Sequence, residues 1–465
     1  MKIIIVGNGK VGFSLAEQLA KEQHDITVVD VREDSLRRAC DLLDIMAIRG
    51  NGVSADTLRE AGAAHCDLLV AATNSDEVNM VCCLIAKNLG THYTIARIRN
   101  PEYNATLSEL RRNLKIDMVI NPESATAVEI SRLLRFPAAA NIETFCRGRV
   151  ELIGFRLQQG DFLVGTPLHS LSNQIKKLPL LFCALERSGQ VSIPNGSTVP
   201  QPGDKLYLVG HPDSLDQFFR ILGRYTPAIN QVLIVGGGKV SSYLAHLLSK
   251  MGMRLKIVER DPNRCRILSE RFPKATVICG DGTDQDLLEA ENLSACDAFV
   301  ALTDRDEDNM IISLYATQKA LPKVITKCNR QNYAGIARSV GLDSVLSPKF
   351  ITASHILRLV RGMQNSQGSV MNSLHRIADG AAEAMEFTVS PSTRCLGTAL
   401  RDLQLKPGVL IAVIMRGQDI IIPEGSSYLQ VNDNVIIISR NSGILDLNDI
   451  YLDEKTVPGT KGGAQ

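Results

Sequence analysis

A glycine-rich pattern occurs twice in this chain of 465 residues, once in each half. Residues 5–12 read IVGNGKVG and residues 234–241 read IVGGGKVS, which are identical at six of eight positions. The block TNSDEVNM, starting at Thr73, returns as TDRDEDNM, starting at Thr303. The offset is 229 residues for the first pair and 230 for the second. Because solenoid repeats are only about 20–50 residues long, this period indicates a duplicated domain pair.

The duplication extends into the later part of each half. Residues 165–168 read GTPL and pair with GTAL at 397–400, while IPNG at 193–196 pairs with IPEG at 422–425. Each half therefore contains two parts. We predict four domains, with the boundaries 1–136, 145–228, 229–361 and 375–452.

The first part of each half alternates short β-branched runs with segments of helical periodicity. In the first half the predicted strands are 2–6, 26–30, 45–48, 68–72, 93–98 and 118–120. The predicted helices are 10–22, 32–40, 54–61, 76–89, 101–113 and 122–135. The second half repeats this order from 231 to about 361. Such alternation is typical of an α/β fold with a Rossmann-like, doubly wound parallel sheet in each half.

The second part of each half has strand alternation and turn signals instead. Residues 150–222 and 383–447 predict two small α+β modules that are rich in β-strand. The predicted linkers are 136–145, 223–230 and 362–382. The polar residues after Leu452 are predicted to form a disordered tail.

The charge balance and hydropathy of the chain argue against several classes of binding partner. The chain carries 51 Lys and Arg against 50 Asp and Glu, a formal net charge of +1. This balance supplies no general basic field for nucleic acid or for anionic lipid. No apolar run approaches the roughly 18 to 20 residues of a membrane span. The N-terminal apolar run is too short for a signal peptide, so we expect a cytoplasmic protein.

The first glycine loop has the spacing of a dinucleotide site. Gly7, Gly9 and Gly12 follow a predicted strand and open a predicted helix. In this motif the glycines permit a tight turn, close approach of a pyrophosphate, and close packing of helix on strand. Asp30 ends the second strand, where a carboxylate accepts hydrogen bonds from ribose hydroxyls and repels a 2′-phosphate. The pattern therefore favours NAD(H) over NADP(H), with the ribose of ATP or ADP equally suited to Asp30.

The second glycine loop departs from the motif at one position. Gly236, Gly238 and Glu259 keep their places, but Ser241 stands at the third glycine. Arg260 follows Glu259 and weakens the expected discrimination against a 2′-phosphate. A second nucleotide site and a degenerate structural copy both remain open on the sequence.

Polar residues also follow the fourth and fifth strands of each half. Thr73-Asn74 and Thr303-Asp304 predict contacts with nucleotide phosphate or ribose at the carboxyl edge of the sheet, with simple capping of the next helix as the alternative. Arg97 and Lys327 predict phosphate partners, with a surface ion pair as the alternative.

Metal binding and catalysis find little support in the sequence. The acidic residues at 304–308 could hold a divalent cation, although a solvated first helical turn is the simpler interpretation. The eleven cysteines are irregularly spaced and contain no C-x-x-C, so we predict reduced, buried thiols and no metal site. No histidine and acid constellation recurs in both halves, which disfavours an enzyme. An NAD-dependent oxidoreductase with a duplicated Rossmann domain remains the alternative.

Taken together, these motifs resemble the tandem RCK (KTN) family, the regulators of potassium conductance that serve Trk-type potassium uptake. The resemblance covers nearly the whole chain and depends on MKIIIVGNGKVG, ITVVD, the GNG at 50, TNSDEVNM and IARIRNPEY. It implies a cytosolic, non-enzymatic regulator that binds NAD(H), or ATP and ADP, and gates a separate membrane subunit.

The resemblance also implies particular binding residues and partners. The cofactor-binding residues it implies are Gly7, Asn8, Gly9, Lys10, Val11, Gly12, Asp30, Thr73, Asn74, Arg97, Gly236, Gly237, Gly238, Lys239, Val240, Glu259, Thr303, Asp304 and Lys327. The implied partners are a K⁺-translocating integral membrane subunit of the TrkH/TrkG type and further copies of the chain in a ring, expected to be a tetramer. The protein would then be peripheral on the cytoplasmic face of the cell membrane.

Overall fold

The computed structural model describes residues 1–100, 102–103, 106–135, 141–223, 229–364, 369–440 and 443–452. The chain separates into two compact units. The first unit is Met1–Pro137 with Thr226–Leu357, and the second is Ala138–Tyr225 with Arg358–Gln465. Each unit therefore takes one part from each half of the repeat.

The first lobe, residues 1–135, is a six-stranded parallel sheet in the order β3-β2-β1-β4-β5-β6. Its strands are β1 Lys2–Val6, β2 Asp25–Asp30, β3 Met46–Arg49, β4 Leu68–Ala71, β5 Tyr93–Arg97 and β6 Met118–Ile120. Its helices are α1 Lys10–Lys21, α2 Glu33–Leu42, α3 Ala55–Glu60, α4 Asp76–Leu89, α5 Leu107–Asn113 and α6 Pro122–Arg135. Residues 3–6 and 68–71 are buried throughout, as expected for central strands with helices on both faces.

The first module follows with a five-stranded antiparallel sheet in the order β10-β9-β11-β8-β7. Its strands are β7 Asn141–Phe145, β8 Val150–Arg156, β9 Leu180–Arg187, β10 Gln190–Ser192 and β11 Lys205–Gly210. Two helices complete it, α7 Asn173–Lys176 and α8 Pro212–Ile221.

The second lobe repeats the first, with strands in the order β14-β13-β12-β15-β16-β17. Its strands are β12 Gln231–Val235, β13 Arg254–Glu259, β14 Thr276–Cys279, β15 Ala298–Ala301, β16 Lys323–Lys327 and β17 Ser344–Leu346. Its helices are α9 Lys239–Lys250, α10 Pro262–Arg271, α11 Gln285–Ala290, α12 Asp306–Gln318, α13 Gln331–Ser339 and α14 Pro348–Gln364. The predicted α/β class is thereby confirmed in both halves.

The second module has its sheet in the order β18-β19-β22-β20-β21, the first module's arrangement read from the other edge. Its strands are β18 Val370–Ile377, β19 Ala382–Thr388, β20 Val409–Arg416, β21 Asp419–Ile421 and β22 Asn434–Ser439. One ion pair is repeated as well: Arg187 meets Asp204 at 2.7 Å and Arg416 meets Asp433 at 2.9 Å. The predicted strand-rich modules are confirmed.

The two modules share one hydrophobic core within the second unit. Buried residues of both sheets, among them Val150 and Ile436, belong to the same cluster. The Tyr207 hydroxyl accepts a hydrogen bond from the Ala378 amide at 3.0 Å, so polar contacts also cross between the modules. Duplication has thus produced two internal pairs, one of lobes and one of modules.

Several predicted boundaries were wrong. The helix predicted at 101–113 begins only at Leu107, because the Asn100 side chain accepts the Glu102 amide and forms a turn before it. The predicted linkers at 136–145 and 362–382 include β7 and β18, whose pairing with β8 and β19 overrides their weak local signals. The predicted linker 362–382 also includes the end of α14 at 362–364 and the start of β19 at Ala382. Residues 136–140, 224–228 and 365–368 of the predicted linkers, and the predicted tail at 453–465, lie outside the described residues.

No helix in the described part of the chain has both the length and the apolar character needed to cross a membrane.

Candidate functional site

The first glycine loop is shaped by close backbone approaches. Gly7 has φ +96°, and a β carbon there would lie 2.8 Å from the backbone of Thr73. A β carbon on Gly12 would lie 2.0 Å from the Gly7 carbonyl oxygen. Neither position accepts a side chain without moving the backbone, so both glycines are needed for the turn itself.

Gly9 differs from these two because nothing lies within 4 Å of the place its β carbon would occupy. Helix α1 begins at the next residue, Lys10, and the N-terminal amides of a helix attract anions. Val11 and Gly12 continue this first turn. The open space above Gly9 therefore fits a pyrophosphate group lying against bare backbone.

Asp30 is bound to this loop. Its Oδ2 accepts the Asn8 amide at 2.6 Å, and its Oδ1 accepts the Arg32 amide at 2.9 Å. The Asn8 side chain in turn donates to the carbonyl of Ser35 at 2.6 Å. A carboxylate has about four acceptor positions, so Asp30 retains capacity for ribose hydroxyls. Its negative charge disfavours a 2′-phosphate.

Thr73 belongs to a buried network and does not cap the next helix. Ser75 is the N-cap of α4, accepting the Val78 amide at 3.2 Å, so the capping alternative was wrong for Thr73-Asn74. Thr73 instead donates both its amide and its hydroxyl to the Asn79 side chain, at 2.9 and 2.7 Å. Asn79 is fully buried.

Arg97 is also more buried than a surface ion pair would be. Its side chain is 12% exposed, and it meets Glu123 at the start of α6 at 3.2 Å. Its Nε and the Glu123 Oε2 have no hydrogen-bond partner among the described residues. Desolvation lowers the pKa of Arg97, partly offset by Glu123. The Arg97 guanidinium thus keeps hydrogen-bonding capacity at the edge of the site.

A cavity of about 1490 Å³ opens at the first glycine loop, within the first unit. Residues 8–11, Asn74 and Arg97 of the first lobe line it, together with 304–307 of the second lobe. Its walls carry eight cationic side chains against five carboxylates. The cationic residues are Lys10, Arg32, Arg38, Arg49, Arg97, Arg305, Arg330 and Lys349. The excess of positive charge suits an anionic ligand such as a nucleotide.

The second glycine loop has the backbone of the first. Gly236 has φ +101°, and Gly238 has φ −73° and ψ −170°, against −78° and −166° at Gly9. Space is again open above Gly238. Ser241 stands at the third glycine position, where its hydroxyl donates to the Gly236 carbonyl. Glu259 accepts the Gly237 amide at 2.6 Å, as Asp30 accepts that of Asn8.

The other predicted binding residues of the second lobe are arranged like those of the first, except that Lys327 stands in the place of Arg97. Thr303 donates its amide to Asn309 at 2.8 Å, and the Asn309 amide group donates to the Lys327 carbonyl at 3.0 Å. The Lys327 ammonium lies 3.2 Å from the Leu302 carbonyl and 3.8 Å from exposed Asp304. Burial lowers the pKa of Lys327. Lys239 and Val240 form the first turn of α9, directly after the loop.

The acidic side chains at 304–308 form ion pairs and hydrogen bonds with cationic side chains and backbone amides of the protein itself. Asp304 meets Lys327, Glu307 meets Arg330 at 3.1 Å, and Asp308 meets Arg305 at 3.7 Å. Buried Asp306 accepts the amides of 329 and 330, both at 2.9 Å. No grouping of metal-ligating side chains occurs in the part of the chain that the structure describes. The divalent-cation alternative therefore gains no support.

Sequence reasoning missed Asn79, Asn309 and Glu123. Both asparagines stand at the same place in TNSDEVNM and TDRDEDNM, so the repeat itself carried a signal for them. A polar residue kept on the buried face of an apolar helix in both copies indicates a buried network. Glu123 had no comparable signal, because it lies on α6 and its partner Arg97 ends β5, 26 positions earlier in the sequence.

Two Rossmann-type lobes with paired glycine loops, each followed by an antiparallel module, define a tandem protein with RCK-type domains. Residues 3–122 and 232–348 match the TrkA-N domain, and residues 384–451 match the TrkA-C domain. The chain belongs to the TrkA family of Trk system potassium uptake proteins.

Full-length relatives support this placement. The chain is 34% identical over 446 residues to the Trk system potassium uptake protein TrkA of Vibrio alginolyticus, covering 95% of this chain and 96% of that protein. It is 35% identical over 442 residues to the protein of the same name from Halomonas elongata, with 94% and 95% coverage.

Solved structures show the same fold at low identity. The crystal structure of the GsuK RCK domain has a TM-score of 0.62 and 18% identity, covering 94% of this chain and 92% of that one. The GsuK channel bound to NAD has a TM-score of 0.61 and 19% identity, covering 94% and 76%.

Proposed function

We propose that this chain is the nucleotide-binding regulatory subunit of a Trk-type potassium uptake system, gating a separate K⁺-translocating membrane subunit. The observation that carries the proposal is the cation-rich cavity at the first glycine loop, with Gly9 open above and Asp30 tied to the loop amide of Asn8. Such a site binds an anionic ligand that presents a pyrophosphate and a ribose.

The residues have distinct roles in this proposal. The first turn of α1, from Lys10 to Gly12, holds the phosphates, and Asp30 accepts the ribose hydroxyls. Arg97 supplies positive charge in the wall of the cavity, which Asn74 also lines. NAD(H) is the first ligand to test, since a structural neighbour of this fold is a channel bound to NAD. ATP and ADP present the same ribose and phosphate chemistry and are the second.

Regulation follows from unequal affinity. A ligand that binds one arrangement of the lobes more tightly shifts the protein towards that arrangement by the ratio of the two affinities. Several copies would assemble into a ring, expected to be a tetramer, on the cytoplasmic face of the membrane subunit. The protein would then reside in the cytoplasm and associate peripherally with the membrane through that TrkH/TrkG-type partner.

Nucleotide binding to the purified full-length chain tests the ligand. NADH, NAD⁺, ATP and ADP are titrated by calorimetry, with NADPH as the 2′-phosphate comparison. Asp30→Ala is expected to weaken NADH binding by at least tenfold, about 1.4 kcal/mol. Asp25→Ala is the matched control, because Asp25 is exposed at the other end of the same strand. Absence of binding by every adenine nucleotide would overturn the proposal.

Potassium uptake in cells tests the regulatory role. The chain is co-expressed with its membrane partner in a strain that lacks potassium uptake, and growth is followed at limiting potassium. Asp30→Ala is expected to change the uptake rate, while Asp25→Ala is not. The competing oxidoreductase function predicts a fall in NADH absorbance with some substrate, and such turnover would contradict a purely regulatory role.

A further inference from the structure

One hydrogen-bonded side chain joins the two lobes of the first unit. Helices α6 and α9 pack against each other, and α9 starts at the second glycine loop. From α9 the Tyr243 hydroxyl accepts the Asn121 side-chain amide at 2.9 Å and donates to the Arg99 carbonyl at 3.1 Å. A phenol hydroxyl can both donate and accept a hydrogen bond, and these two bonds use both functions.

Both partners of Tyr243 stand beside the first nucleotide site. Asn121 caps α6 by accepting the Ser124 amide at 2.9 Å, and Glu123 in that first turn meets Arg97. Arg99 lies two residues beyond Arg97 on the segment that follows β5. The Tyr243 contact therefore links α9, which starts at the second glycine loop, to two segments of the first lobe. One segment follows β5, which ends at Arg97, and the other is the start of α6, which carries Glu123.

Within the described residues, the repeat shows no equivalent of this contact on the other side of the lobe pair. The offset of 229 places Ser14 where the second lobe has Tyr243. Ser347 corresponds to Asn121, because each residue precedes the proline that begins the last helix of its lobe. Ser14 is 1% exposed, and neither serine hydroxyl has a hydrogen-bond partner among the described residues. Phe13, next to Ser14, and Lys349, two residues after Ser347, line the cavity.

We propose that Tyr243 couples the two nucleotide sites of one chain, so that occupancy of the second glycine loop changes the affinity of the first. The proposal rests on the proposed function, since it needs nucleotide at both loops. A ligand at Gly238 bears on the first turn of α9, and Tyr243 carries a shift of that helix to Asn121 and Arg99. Tyr243 is a positioning residue in this scheme, because it acts through Arg97 and Glu123.

The coupling is reciprocal: occupancy of either site changes the affinity of the other by the same factor, and the experiment measures that factor. Calorimetric titration of NADH into full-length Gly238→Ala gives the affinity of the first site alone, and Gly9→Ala gives that of the second. The two-site titration of the unaltered chain then gives the coupling factor between them. We expect a factor of at least about five in either direction, the lower end of typical allosteric couplings.

Tyr243→Phe keeps the ring and removes both hydrogen bonds. We expect it to bring the coupling factor to about one, while each single-site affinity stays within about twofold. A merely structural role would alter the single-site affinities and leave the factor in place. Tyr315→Phe is the matched control, because that phenol pairs with Glu289 within the second lobe and should leave the factor unchanged.

The possible outcomes separate the two proposals. Absence of NADH binding at both loops overturns the coupling, and absence of binding by every adenine nucleotide overturns the proposed function as well. Binding at only one loop, or a factor of one in the unaltered chain, overturns the coupling and leaves nucleotide binding intact. An unchanged factor in Tyr243→Phe overturns the role of Tyr243. Loss of the factor in Tyr243→Phe alone, with single-site affinities retained, supports it.

Discussion

The side-chain amide of Asn79 donates a hydrogen bond to the backbone carbonyl of Arg97 at 2.8 Å. Asn79 also receives two hydrogen bonds from Thr73, so a single buried side chain ties the ends of β4 and β5 together. Asn309 makes the same bonds with Thr303 and Lys327 in the second lobe. In both lobes these bonds position the polar residues at the carboxyl edge of the sheet.

Replacing Asn79 by alanine should destabilise the first lobe. The change leaves the partly buried Thr73 amide and the Arg97 carbonyl without this partner, which costs about 2–4 kcal/mol. Asn309→Ala should cost a similar amount, because its bonds are the same. Thermal unfolding and urea unfolding of each variant measure the loss. Asn100→Ala, at a partly exposed turn, is the comparison and should cost less. Equal losses for Asn79→Ala and Asn100→Ala would contradict a special role for the buried network.

Gly9→Ala should weaken nucleotide binding while leaving the stability of the fold unchanged. Open space surrounds the added β carbon, and φ of −78° suits alanine, so stability should change by less than about 0.5 kcal/mol. NADH affinity should fall at least about tenfold, because the methyl group occupies the space of the pyrophosphate.

Two further glycine variants calibrate this result. Gly335→Ala also meets open space, on α13, and should leave NADH affinity unchanged. Gly12→Ala should instead destabilise the lobe, because its β carbon meets the Gly7 carbonyl at 2.0 Å. Unchanged NADH binding by Gly9→Ala would argue against phosphate at this loop.

Arg361→Met should destabilise the second unit strongly. Arg361 is fully buried and meets both oxygens of Glu383, at 2.7 and 3.0 Å. Removing the cation leaves a buried carboxylate with weaker compensation, at a cost of about 3–5 kcal/mol. Arg401→Met is the control, since Arg401 is exposed and lies 3.9 Å from Asp402. Urea unfolding monitored by circular dichroism compares the two, and equal midpoints would refute the difference.

Thiol accessibility should divide the eleven cysteines into two groups. Cys40, Cys279 and Cys395 are exposed, and the other eight are buried. Burial raises the pKa of Cys82 and of Cys183 to about 12, which suppresses the reactive thiolate. Alkylation of the native protein should therefore label the three exposed thiols rapidly, and denaturant should expose the rest. Mass spectrometry of peptides gives the assignment, and rapid labelling of Cys82 in the native protein would contradict it.

The same burial predicts a loss of stability at alkaline pH. The thiol pKa is about 8.5 in an unfolded chain, and about 12 at Cys183 in the folded protein. The unfolded state therefore loses its proton first, and the unfolding free energy falls as pH rises from about 8.5 towards 12. Cys183→Ala should reduce this dependence and Cys395→Ala should not. Urea midpoints at neutral and alkaline pH measure it, and identical slopes would exclude the effect.

The local pattern of the chain was enough to predict most of the architecture. Alternation of apolar strand patterns with helical patterns, repeated at an offset near 229, predicts two doubly wound sheets from the sequence alone. The glycine spacing and Asp30 likewise predicted the loop, since the motif is recognised by its residue spacing along the chain. Boundaries failed where the local signal was weak: β7 and β18 are strands because β8 and β19 pair with them.

The sequence by itself determined the duplication, the fold class and the two glycine loops, because each depends on short periods and on spacing along the chain. Tertiary structure alone decided that the two lobes share one unit and the two modules another. It also decided that Tyr243 reaches Asn121 across 122 positions of sequence and that Arg97 meets Glu123. Periodicity reports which face of an element is buried, whereas the choice of partner depends on how separate elements pack.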